Sequence, residues 1–176
     1  MTHEFEIDFE AEYNCRAMVP EHPQLIEQWG RDAAAFRAGA NVELDAKYGP
    51  DARHCIDIFT PVTDRNGPVA MFVHGGYWSN FDGKWFSHMA SGMVAHGIPV
   101  AVPSYRLCPE VQIADIIADI RQACAWLHRR FGRQVLPVGH SAGGHLAAAL
   151  LATDWPAHND EMPPDLVKAA VSISGL

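Results

Sequence analysis

The chain has 176 residues, 48% hydrophobic and 19% charged, a composition that suits one soluble globular domain around one core. Thirteen Lys and Arg against 21 Asp and Glu give a formal net charge of −8, which argues against a nucleic-acid partner. No stretch approaches the ~18 uninterrupted apolar residues of a membrane span, and the acidic opening is unlike a signal peptide, so no membrane association and a cytoplasmic location are expected.

In chain order, Glu4, Phe5, Glu6, Ile7, Asp8, Phe9 and Glu10 alternate with the period of a strand, a pattern that equally suits a leader without a sheet partner. Over residues 22–38, Leu25, Trp29, Ala33 and Phe36 recur at threes and fours between Pro23 and Gly39, which predicts an amphipathic helix. Tyr48, Gly49, Pro50 and Asp51 read as a turn before a short strand over 55–59. Beyond it the pattern becomes regular. Strands are predicted over 69–74, 98–104, 134–138 and 168–174, and helices over 84–96, from Ile113 to a stop at Gly132, and after Ser141. Short, nearly continuous apolar strands separated by helices predict an α/β class with a mostly parallel sheet covered on both faces.

The four cysteines, Cys15, Cys55, Cys108 and Cys124, are widely spaced and read as reduced thiols. The ten histidines show neither HExxH nor Cys/His ligand spacing, so no metal and no cofactor are expected. Arg129, Arg130 and Arg133 form a compact basic group where a helix should end, and read as a solvated last turn complementing the helix dipole.

Two motifs carry chemistry. Gly139, His140, Ser141, Ala142 and Gly143 make a G-x-S-x-G between an apolar strand and a helix, the context that holds a serine hydroxyl above a sheet edge on a strained turn. Upstream, the strand over 69–74 runs into Gly75, Gly76, Tyr77 and Trp78. Acyl transfer needs two backbone N–H donors aimed at the developing oxyanion, and glycines let a loop turn its amides inward. One donor is expected at Gly75, Gly76 or Tyr77 and the other at Ala142. Together the motifs point to a serine hydrolase with Ser141 as nucleophile. Trp78, Phe81, Trp85 and Phe86 read more readily as core than as pocket, and Tyr77 is the better pocket candidate; Tyr77 and Trp78 are kept as candidate pocket residues. Arg106 and Glu110, just after a strand end, read as a structural ion pair or loop contacts, and Cys108 as a packed thiol.

With His74-Gly75-Gly76-Tyr77-Trp78, Ser104-Tyr105-Arg106-Leu107-Cys108-Pro109-Glu110 and Gly139-His140-Ser141-Ala142-Gly143-Gly144-His145-Leu146, the chain resembles the α/β-hydrolase superfamily, and within it the kynurenine formamidase (arylformamidase) and esterase group. The resemblance implies an α/β-hydrolase fold and a hydrolase of aryl formamides that converts N-formylkynurenine to kynurenine and formate in tryptophan catabolism. Its partner is then a small-molecule substrate, and a homodimer is left open. A carboxylesterase for small acyl esters would use the same residues with a different pocket. In this superfamily the triad acid and histidine follow the serine, each after a further strand. Only Ala142 to Leu176 follow Ser141 here, and Asp154, Asp160, Glu161, Asp165, His145 and His158 come too early in the topology. The triad Asp and His are therefore expected to lie outside this chain, which reads as a single α/β-hydrolase domain over 1–176, incomplete at its C-terminus and inactive alone. A catalytically inactive fragment or binding module is the reading from another class.

Overall fold

In the computed structural model, residues 7–176 are described, apart from the Cys15 side chain. A six-stranded sheet runs in the order β1-β2-β4-β3-β5-β6. Its strands are β1 (Val42–Lys47), β2 (Cys55–Phe59), β3 (Val69–Val73), β4 (Val100–Pro103), β5 (Val135–His140) and β6 (Val171–Ile173). β3 pairs in parallel with β4 and β5, and β5 in parallel with β6, while β1 and β2 run antiparallel to their neighbours. The sheet is thus mostly parallel, with an antiparallel flank formed by its first two strands.

β3 is buried along its whole length and alternates between two cores. Val69, Met71 and Val73 point into a cluster shared with α5 (Ile113–Phe131) and α6 (Ala142–Leu151); Ala70 and Phe72 point into a second cluster shared with Phe86 and Ala90. This period-two alternation with both faces covered is why β3 reads as an unbroken apolar run. On α5, Ile116, Ile120, Ala123, Cys124 and Leu127 fall on one buried stripe. A reciprocal Gln112/Asp115 capping box starts that helix, and Gly132 ends it in the left-handed conformation at φ +64°. Burial pushes the Cys124 thiol well above its ordinary range, so it stays a protonated packing group.

Several elements depart from the sequence expectations. The helix expected over 84–96 is a 3₁₀ segment, Gly83–Ala90, followed by a short α-helix, α4 (Ser91–Ala95). Asp82 caps the Lys84 amide, and Gly83 lies so close to the Val102 and Pro103 carbonyls that a Cβ there would be 2.9 and 3.0 Å from them, which draws the segment tightly onto β4. The strand expected over 168–174 shortens to β6, three exposed residues paired with Val138, Gly139 and His140. β1 escaped notice because it is an edge strand with charged Glu43, Asp45 and Lys47, bulged between Glu43 and Ala46. The alternating opening lies partly outside the described residues; from Phe9 to Tyr13 it is the short helix α1, capped by Asp8. α2 (Cys15–Met18) follows, and the helix expected over 22–38 is observed as α3 (His22–Gly39).

The three arginines at the end of α5 are not merely solvated. Arg130 pairs with Glu43 of β1, Arg133 with Asp64 at 2.7 Å, and Arg129 approaches Glu161 at 4.0 Å. They moor the helix end to three separate segments. α7 (Trp155–His158) closes the α6 side, with Trp155 fully buried. No helix among the described residues is long and apolar enough to cross a membrane.

Candidate active site

At the C-terminal edge of the sheet, β5 passes directly into α6 through Ser141, whose backbone sits at φ 54°, ψ −121°. A non-glycine residue in this left-handed region carries strain of about 1–3 kcal/mol, sustained only by its surroundings. Here the surroundings are tight: a side chain at Gly139 would overlap the Gly143 carbonyl, and one at Gly143 would overlap the Val73 carbonyl. The glycines of the motif are therefore required by close approach of β3, β5 and α6. The Ser141 amide donates to the Ile173 carbonyl at 2.9 Å, and the Ser141 carbonyl accepts from the Gly144 and His145 amides at 2.8 and 3.1 Å, starting the helix.

The loop after β3 runs alongside this elbow. A Cβ built on Gly75 would lie 3.2 Å from the Ser141 Cβ. The amides of Gly75, Gly76, Tyr77 and Ala142 donate to no partner among the described residues, so four N–H groups at the junction of loop and helix are free. Gly76, Tyr77 and Trp78 take φ values of 113°, 58° and 57° in succession. Tyr77 projects outward, 71% exposed, while Trp78 folds back half-buried against the main core. The structure thus sets Gly75 against Ser141, the residue before Ala142, with Gly76 and the two candidate pocket residues, Tyr77 and Trp78, following in the same loop.

His74 is fully buried, stacked between Tyr105, with ring centroids 4.2 Å apart, and Phe86 at 5.7 Å. Its Nδ1 donates to the Gly75 carbonyl at 2.7 Å, and Tyr105 donates to the His74 carbonyl at 2.7 Å. Burial pushes its imidazole down from 6.5 to about 4, against the opposing pull of the Gly75 hydrogen bond. This histidine is a neutral strut of the loop. Because the unfolded chain protonates it below pH 6.5 and the folded protein resists until about 4, stability should fall through that window. At the acid end the loss approaches about 3 kcal/mol. Urea titrations at a series of pH values should show this slope reduced in His74→Phe; parallel curves for parent and variant would contradict it.

A second polar centre lies under α5, where the sequence had marked only Arg106. Asp119, 2% exposed, accepts from Arg106 Nε at 2.9 Å, Arg106 Nη2 at 2.6 Å and the Arg106 amide at 3.1 Å. His54 Nε2 is 3.1 Å from the same carboxylate but out of line for a hydrogen bond, so it is an electrostatic neighbour. Glu110 is exposed and plays no part. His54 and Asp119 were missed because sixty-odd residues separate them, and nothing local marks either as special. Two clefts of about 610 and 470 Å³ open on either side of Arg106, and neither is lined by Ser141. Arg53 joins this centre to the sheet edge, donating to the Tyr105 and Phe81 carbonyls at 2.6 Å each. Asp119→Ala would strand the Arg106 guanidinium without its counter-charge, and an expected loss of about 3 kcal/mol should appear as a lowered urea midpoint with an unchanged slope. A midpoint within error of the parent would show that the carboxylate does not hold the loop.

The BD-FAE family model matches residues 56–164, more than half of the chain, including both motifs. Kynurenine formamidase from Salmo salar is 28% identical over 143 residues, covering 80% of this chain and 48% of that protein. Isoprenylcysteine alpha-carbonyl methylesterase from Arabidopsis thaliana is 32% identical over 144 residues, covering 78% of this chain and 33% of that protein. Among solved structures, a Silicibacter sp. tm1040 protein whose thioesterase assignment is provisional superposes with a TM-score of 0.81 at 34% identity, covering 97% of this chain and 64% of that one. The chain spans about half the length of the formamidases it matches. The elbow at Ser141, the glycine loop beside it, the strand order and the family match converge: the chain belongs to the BD-FAE family, in the formamidase and esterase group of the α/β-hydrolases.

Proposed function

We propose that this protein is a serine hydrolase that cleaves an aryl formamide, with N-formylkynurenine as substrate and kynurenine and formate as products. The observation that carries the reading is the strained Ser141 elbow with a loop of free amides running alongside it. Ser141 Oγ attacks the formyl carbon, and the carbonyl oxygen becomes an oxyanion held by the Ala142 amide and an amide from Gly75, Gly76 or Tyr77. The intermediate collapses with loss of the aryl amine, to which a proton is delivered, leaving formyl-Ser141. Water then attacks the formyl carbon, and formate departs as Ser141 regains its proton. An aryl amine leaves more readily than an alkyl amine, so esterase-like machinery suffices for this amide.

Both steps need a group that takes the serine or water proton. Among the described histidines, His74 is a buried strut, His54 is tied to Asp119, and the His145 ring packs on Trp78. His140 is exposed next to Ser141 but pairs with no carboxylate among the described residues, so the base and the carboxylate that orients it are proposed to come from polypeptide other than residues 1–176. The formamidase relatives, matched over about four-fifths of this chain, favour a formamide substrate, and the methylesterase relative keeps a carboxylesterase as the second reading. In its full natural length the protein is expected to release formate from N-formylkynurenine with kcat/KM well above that for p-nitrophenyl acetate. The opposite ranking would assign it to the ester substrates.

A further inference from the structure

We propose that Trp78 and His145 form a clamp that sets the spacing between the loop amides at Gly75, Gly76 and Tyr77 and the Ala142 amide. On this proposal, which rests on the role given to Ser141 above, Trp78 is a positioning residue and not part of the substrate pocket. Three residues in succession, Gly76, Tyr77 and Trp78, have φ between 57° and 113°, two of them with side chains. Each non-glycine residue in that region costs about 1–3 kcal/mol, so the loop keeps this shape only if its surroundings impose it.

The bonds within residues 76–80 do not supply that constraint, and the His74 strut holds only the Gly75 carbonyl before them. The Gly76 carbonyl accepts from the Ser79 and Asn80 amides, both at 3.0 Å, which closes the turn on itself but ties it to nothing beyond. The exposed Tyr77 ring rests edge-on against Trp78, with centroids 5.9 Å apart, and so does not itself tie the loop to another segment. Trp78 does: its carbonyl accepts from the Cys108 amide at 2.8 Å, and its ring meets the His145 ring edge to face, with centroids 5.4 Å apart and planes at 87°. Perpendicular aromatic contacts of this kind contribute beyond the area they bury. His145 stands on the first turn of α6, where its amide donates to the Ser141 carbonyl at 3.1 Å. The contact therefore joins the last of the three successive left-handed residues to the helix turn that presents Ser141 and Ala142.

Trp78 Nε1 and His145 Nδ1 are both buried without a hydrogen-bond partner among the described residues, so neither atom is held by a bond that would orient its ring instead of this contact. The consequence is chemical. Oxyanion donors act together only when each lies about 2.7–3.1 Å from the same oxygen, and here they come from two segments far apart in the chain. Without the clamp, the loop can relax toward unstrained backbone and carry its amides away from Ala142.

The test uses Trp78→Ala, His145→Ala, their double variant and the conservative Trp78→Phe, in the protein at its full natural length. Hydrogen-exchange mass spectrometry comes first because it needs no activity. Peptides covering residues 74–81 should exchange about tenfold faster in both alanine variants, with α5 peptides unchanged and Trp78→Phe close to the parent. The second readout is kinetic: kcat for formamide and ester alike, and the rate of fluorophosphonate capture at Ser141, should drop about 100-fold with KM unchanged. The double variant should be little worse than either single one, since both remove one contact. Unchanged exchange over 74–81 would overturn the clamp, as would a Trp78→Ala variant with raised KM and altered substrate ranking at unchanged kcat, which would return Trp78 to the pocket. Should the alanine variants lose protection throughout, His145→Gln, which removes the ring but keeps a polar side chain of similar length, carries the same comparison against Trp78→Phe. If the unsubstituted protein is never captured at Ser141, the hydrolase reading fails, and the exchange data still decide the clamp.

Discussion

Substitution of Ser141 by alanine is expected to abolish covalent capture by a fluorophosphonate probe and to lower kcat by about a millionfold in the protein at its full natural length. The size of the effect follows from the part the serine would play. In a triad enzyme the nucleophile and its base act as one unit, so removing either leaves only binding and oxyanion stabilisation. The fold supports such a role, because it bears a left-handed, strained backbone at Ser141 that a merely structural serine would not need. The chain tolerates this strain only by packing Gly139 and Gly143 against neighbouring carbonyls. Ser141→Ala should leave the urea midpoint nearly unchanged, since the side chain makes no hydrogen bond among the described residues. Equal labelling of parent and variant, located by peptide mapping, would remove Ser141 from the mechanism.

Residues 1–176 expressed alone are expected to turn over formamide and ester substrates about a millionfold more slowly than a complete hydrolase of the same family. The reason is that no described histidine is both next to Ser141 and paired with a carboxylate that would orient it as a base. His74 is held neutral by burial, with its Nδ1 hydrogen committed to the Gly75 carbonyl, and His54 lies beneath α5 beside Asp119. The same material is expected to self-associate. β6 is exposed at every residue, with Val171 at 46% and Ile173 at 42%, and pairs with β5 alone, so it offers an apolar strand edge for intermolecular pairing. Turnover assays beside light scattering test both halves together. Hydrolysis at the rate of a complete relative, from a monodisperse monomer, would refute the argument and direct attention to His140, which is exposed next to Ser141, as the base.

Much of the architecture was legible because burial on both faces leaves little choice of residue. The runs that became β3 and β4 could hold only apolar or small side chains, and the stripe from Ile116 to Leu127 on α5 had to recur at helical spacing to cover the sheet. β2 was placed at its observed ends, and Gly132 was the stop it had signalled. Where a segment is half exposed or held by a partner far away, the local pattern misleads. Charged residues on β1 hid an edge strand, and contact with β4 tightened an apparently helical segment into 3₁₀ geometry.

The candidate site divides along the same line. Ser141, Ala142 and the glycine loop could be named from the sequence because close approach and positive φ admit few residue types, and that restriction is local and visible. What the sequence could not decide was which side chains meet across the sheet. Trp78 and Tyr77, adjacent in the chain and equally suited to a pocket, are sent opposite ways, one onto the core against His145 and the other into solvent. Asp119 gains its importance only from Arg106 and His54, brought to it by the strand order β1-β2-β4-β3-β5-β6. Such contacts depend on the packing of segments remote in sequence, and a side chain's local pattern carries no record of its distant neighbours. Sequence alone determined the fold class and the residues around Ser141, through the narrow choice of residue that tight backbone allows. Tertiary structure alone decided how the loop, the helix and the buried ion pair hold that geometry in place.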